Sequence, residues 1–103
     1  MITDYGFTEQ QLASIYEVLN NIKKTNDSLT SNTKIDGIEY YVDNQGNFYT
    51  AYCEADYSGE GPTFKLVYTA INSFGGIVDL NSIYANQEDI VKKLSRYRKI
   101  SLI

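Results

Sequence analysis

The sequence predicts an α+β fold: an antiparallel sheet of three to five strands flanked by an N-terminal and a C-terminal helix, in the order α-β-β-β-β-α with the option of a short terminal strand. Three observations carry this. Apolar residues recur at helical spacing from Leu12 to Ile22, at a period of two from Ile38 to Ile71, and at helical spacing again after Asn86. With 103 residues and 43% apolar content, residues 1–103 are expected to form one domain with a core of its own.

The first helix is announced by Thr8 and Gln11, the T-x-x-Q spacing of a capping box in which each side chain satisfies a free backbone N–H. Leu12, Ile15, Tyr16, Leu19 and Ile22 follow as one apolar stripe, and the polar run from Thr25 to Thr33 ends it as a loop. From Lys34 the period is two. Ile38, Tyr40 and Val42 lead into the turn DNQG, and NFYTAYCE leads back. A two-residue turn at Asn44 and Gln45 and a four-residue loop over Asp43–Gly46 both give a register in which paired numbers sum to 89.

The loop ADYSGEGP leads to a third strand over Thr63–Ile71, with Phe64, Leu66, Tyr68 and Ala70 on one face. NSFGG then reads as a turn, and Gly76–Leu80 as a fourth strand. The second helix starts near Asn86, an N-cap, with Glu88 and Asp89 in its first turn and Arg96, Arg98 and Lys99 near its end, matching the helix dipole. Ile90, Val91, Leu94 and Tyr97 are its apolar face, and ISLI closes the chain as a short fifth strand or an apolar tail.

Cross-strand partners share a face, so the register divides the hairpin in two. Ile38, Tyr40, Val42, Tyr49, Ala51 and Cys53 are expected against the first helix. Glu39, Tyr41, Phe48, Thr50, Tyr52 and Glu54 take the opposite face, with Tyr41 across from Phe48. The second helix covers this mixed face, or a foreign protein does. The partner-binding residues expected on the second view are Glu39, Tyr41, Asp43, Phe48, Tyr52, Glu54, Asp56, Tyr57 and Glu60.

Composition narrows the function class. The net charge of −4 opposes direct nucleic-acid binding through phosphates. It also conceals an asymmetry: six acids and no base lie between Asp36 and Phe64, five bases and no acid between Lys92 and Lys99. The basic cluster is expected as a solvated helix face. No stretch approaches the apolar length of a membrane helix, and MITDYGFTEQ is no signal sequence, so a cytoplasmic location is expected. Usage rich in Ile, Asn, Lys and Tyr hints at AT-rich codons, as in a low-GC bacterium or its phage.

No motif points to an enzyme, a metal or a cofactor. Asp43, Asn47 and Glu54 have some of the spacing of a calcium loop, but Gly46 stands too early for the required turn. SGEGPT lacks the Lys and Ser/Thr of a P-loop. Cys53, with no histidine anywhere to act as its base, is expected to be a structural thiol.

These exclusions leave binding. In size, charge and composition the chain resembles the small acidic inhibitors that phages and mobile elements direct at restriction or CRISPR nucleases, and immunity proteins that neutralise toxins. The resemblance covers no motif and transfers no residue. It implies a partner with a basic surface, a nuclease or a toxin, met by an acidic aromatic face. A nucleotide-type small-ligand module is the alternative, as is a structural or self-assembling component, and a homodimer is compatible with the last.

Overall fold

The computed structural model describes residues 5–29 and 32–102. Helix α1 (Glu9–Ser28) precedes strands β1 (Thr33–Val42), β2 (Phe48–Asp56), β3 (Thr63–Ile71) and β4 (Ile77–Asp79). Helices α2 (Leu80–Ile83) and α3 (Gln87–Leu94) follow, and β5 (Arg98–Ile100) ends the sheet. All pairings are antiparallel, in the order β4-β3-β2-β1-β5, with α1 on one face and α2 and α3 on the other. This is the α+β architecture the sequence predicts. Among the described residues no helix is long and apolar enough to cross a membrane.

Several boundaries differ from expectation. Helix α1 continues through Thr25–Ser28, where Thr25 and Ser28 turn their hydroxyls onto the carbonyls of Asn21 and Thr25. Helix α3 stops at Leu94 rather than near Lys99, because Arg98–Ile100 leave the helix to pair with Tyr40–Val42 as β5. Thr30 and Ser31 of the expected loop, and Ile103 of the expected terminal strand, lie outside the described residues.

The capping box at α1 is only half formed. Thr8 Oγ1 accepts the Gln11 N–H at 3.1 Å, but the Gln11 side chain does not return to Thr8. It points into the core, where its Nε2 donates to the carbonyls of Gly46 (2.8 Å) and Ile71 (3.1 Å). The buried face of α1 is therefore Gln11, Ile15 and Ile22, and Tyr16 faces outward.

The hairpin turn shifts the register. Asp43 N–H donates to the Asn47 carbonyl, so Asn44, Gln45 and Gly46 form a three-residue loop, closed by Gly46 at φ +80°. Paired numbers near the turn sum to 90, giving Tyr41↔Tyr49 and Val42↔Phe48, not Tyr41 opposite Phe48. The Asp43 carboxylate holds the loop by accepting from Gln45 N and Asn47 N at 2.9 Å, Asn47 Nδ2 at 2.9 Å and the Tyr49 hydroxyl at 2.8 Å. Further along, a bulge between Asp36 and Glu39, with Gly37 at φ +65°, restores the sum of 89 for Thr33–Asp36.

Burial disfavours the charged form of Asp43, but donors from the Asn47 side chain and backbone, Tyr49 and Gln45 together hold its carboxyl below the usual range. A depressed carboxyl stabilises the fold above its unfolded value, 3.8, and that contribution is lost as pH falls through the lower folded value. Thermal melts at falling pH should show wild type losing stability through this window, whereas Asp43→Asn starts lower at neutral pH and falls less steeply. Parallel curves would remove Asp43 as the source.

Two cores result. Ile15, Phe48, Ile71 and Ile100 meet under α1, while Tyr49, Ala51 and Tyr68 meet Leu80, Ile90 and Leu94 under α2 and α3. On β2, Thr50 is fully buried, and its hydroxyl has no hydrogen-bond partner among the described residues. Thr50→Val keeps the shape and removes an unpaired polar group, so it should stabilise the fold by about 1 kcal/mol. A lowered denaturation midpoint in urea would contradict this.

Candidate functional site

The α3 side of the sheet can be read in cross-strand rows. Tyr41, Tyr49 and Ala70 form one row, Glu39, Ala51 and Tyr68 the next, then Asp36, Cys53 and Leu66, then Lys34, Ala55 and Phe64. Helix α3 has eight residues, a length of about 12 Å, so it reaches only the rows nearest the hairpin turn. Among the described residues no helix packs over the rest of this face, where Leu29, the residue that ends α1, lies beside Lys34, Ala55 and Phe64.

Small residues at alternate positions of β2, Ala51 and Cys53, form the floor of a furrow on the central strand, and the next, Ala55, is buried beside a separate cavity that Leu29, Lys34 and Phe64 also line. Leu66 and Tyr68 of β3 form an apolar wall, and Asp36 and Glu39 of β1 a charged one. Val91, Leu94 and Ser95 close the near end, around a volume of about 330 Å³. At the far end stand two exposed rings, Tyr57 (54% exposed) and Phe64 (62%), edge to face at 6.3 Å.

The charged wall is largely neutralised in place. Lys99 Nζ donates to Glu39 Oε1 at 3.1 Å, the Tyr41 hydroxyl donates to Glu39 Oε2, and Lys34 lies 3.7 Å from Asp36. The hydrogen bond from Tyr41, then that from Lys99, holds the Glu39 carboxyl below its ordinary range. Burial, reinforced by Glu39, pushes the Tyr41 hydroxyl up to about 12. Tyr41 is therefore a fixed neutral donor at physiological pH.

The residues expected to share one acidic aromatic face do not. Glu39 and Tyr41 line the furrow. Phe48 is 0% exposed in the α1 core and is not surface at all. Tyr52 lies on the α1 side beside Val18, Ile22 and Thr69, and Glu54, paired with Ile35 and Lys65, is on that side too. Asp43 belongs to the turn. Asp56 ends β2, accepting from Ser58 N (2.9 Å) and Ser58 Oγ (2.6 Å), with Tyr57 and Glu60 just beyond it at the far end. The physical reason is the three-residue loop: moving the sum from 89 to 90 turns every β2 side chain to the other face.

Sequence reasoning missed Asp36, Phe64, Leu66 and Val91, and assigned Cys53 to the core under the first helix. The available signal was AYCEA, whose alternate small residues on a central strand leave space between the larger side chains of β1 and β3. Comparison of the chain with protein-family models, curated proteins and solved structures finds no match.

Proposed function

We propose that the protein acts in the cytoplasm by binding another protein with a basic surface, and that this binding inhibits the partner. The observation supporting this reading is the uncovered far end of the sheet. Asp36 on that face, and Asp56 and Glu60 at and beyond the end of β2, stand against one lysine, Lys34, with the two exposed rings Tyr57 and Phe64 at the same end. Exposed aromatics supply contact area at low entropic cost, and excess like charge accelerates encounter with a basic partner. A nuclease, as in anti-restriction or anti-CRISPR inhibition, or a basic toxin fits that description. On this reading the chain works by binding, and its single thiol lies in the furrow floor.

The test is retention of bacterial-lysate proteins on immobilised chain, eluted with rising salt and identified by mass. The expected result is a basic protein released by salt, whose association is slowed severalfold by the pair Asp36→Lys and Glu60→Lys. Retention indifferent to salt and to those changes would remove the acidic end from the binding site.

A further inference from the structure

We propose that the furrow is a self-association site, taken up by a second copy of this chain in a two-fold, antiparallel pair. The inference concerns the same face as the proposed function and shares its exposed ring Phe64 and its acids Asp56 and Glu60, adding the furrow and the basic end of α3. First, a protrusion and a recess are near neighbours: Phe64, 62% exposed, stands one row beyond Cys53 and Leu66 of the furrow, and Val91, 50% exposed, stands on its α3 side. An isologous contact requires such self-complementarity, because each copy must supply both halves.

Second, the charges match under the same operation. The C-terminal half of α3 and the turn after it carry Lys92 and Arg96, which make no ion pair among the described residues, with Glu88 and Asp89 confined to the first turn of the helix, while Asp56 and Glu60 lie at and beyond the far end of β2. Copies related by a two-fold axis through the furrow run antiparallel, so each acidic end meets the other's basic helix, twice per pair. Asp36 of the furrow wall has Lys34 3.7 Å away, so both signs stand at the edge of the furrow, as a contact with a copy of itself requires. Third, α3 packs only on the rows nearest the hairpin turn. In the pair, each α3 lies over the rows its partner leaves open.

As a reversible association, the pair shifts its population with protein concentration. A foreign partner at the acidic end must then displace the second copy.

The test is sedimentation equilibrium of the purified chain from low to high micromolar concentration at low salt, with a parallel thiol-labelling assay. Cys53 is the only cysteine and lines the furrow, so its labelling rate reports coverage directly. The expected mass rises from 11.7 kDa towards twice that value, labelling slows in step, and molar salt reverses both. Phe64→Asp and Val91→Asp, both at exposed positions, should each raise the dissociation constant at least about tenfold. A constant monomer mass with concentration-independent labelling overturns the proposal, and so does a dimer that survives both substitutions or leaves Cys53 equally reactive. Either failure leaves the lysate experiment unaffected, since that reads a foreign partner on immobilised chain.

Discussion

Phe48→Ala should lower the melting temperature by well over ten degrees, an effect no other ring of the hairpin will match. Phe48 is completely buried, with its ring edge on to Phe7 at 5.7 Å and stacked with Tyr40 at 6.0 Å. Truncation removes both ring contacts and leaves a cavity beneath α1 that Ile15, Ile71 and Ile100 cannot close without moving backbone. Such changes cost about 3–5 kcal/mol, against a total stability of about 5–15 kcal/mol. One kcal/mol corresponds to about 4–8 °C in a domain near this size. Tyr41→Phe is the informative contrast. It removes only the hydroxyl bond to Glu39 from a half-exposed ring, at about 0.5–1.5 kcal/mol. If the two changes proved equally mild, Phe48 would be on the surface and the sum-of-90 register would be wrong.

That contrast shows how far the sequence could be read. The helix at Thr8, the three long strands, the short fourth strand and the Asn86 cap were legible because each rests on local chemistry: periodicity, a capping side chain, a glycine at a turn. Tyr40 and Val42 against α1, and Phe64, Leu66, Tyr68 and Ala70 on one face, were legible for the same reason. The faces of β2 were not, because they depend on counting the loop. Two or four residues between the strands give one parity and three give the other, and apolar patterning cannot arbitrate when both faces of β2 are aromatic and both are buried near the turn. The deciding signal was in the turn chemistry. Asp43 followed three residues later by Gly46 repeats as Asn72 followed by Gly75, and in each the Asx side chain accepts two backbone N–H groups while the glycine takes positive φ. The open furrow was illegible for a different reason: it exists because α3 stops at Leu94, and the helical pattern runs on through Tyr97.

The paired turns also set up the second large effect, because equal local geometry does not mean equal tolerance. Gly46 and Gly75 have φ of +80° and +85°, and in each an alanine meets the left-handed penalty of about 1–2 kcal/mol. Around Gly46 an added Cβ finds nothing within 4 Å. At Gly75 it would lie 2.8 Å from the Gln10 carbonyl oxygen and 3.0 Å from Ser14 Oγ. The first is helix backbone and cannot rotate away. The second is the hydroxyl that donates to the Gly75 carbonyl at 2.6 Å, while Thr8 donates to Ser73, so the start of α1 is tied to this turn through its closest approach. Alanine at Gly75 must push α1 outward or break those bonds, adding about 1–3 kcal/mol of overpacking to the conformational term. Gly75→Ala should therefore cost about 2–5 kcal/mol and Gly46→Ala only about 1–2 kcal/mol, read as shifts in urea midpoint at constant slope. Equal shifts would mean that α1 does not sit on the β3–β4 turn. A still larger loss in Gly46→Ala would place the tighter contact at the β1–β2 turn, where Gln11 Nε2 reaches the Gly46 carbonyl across 2.8 Å but the glycine Cα faces open space.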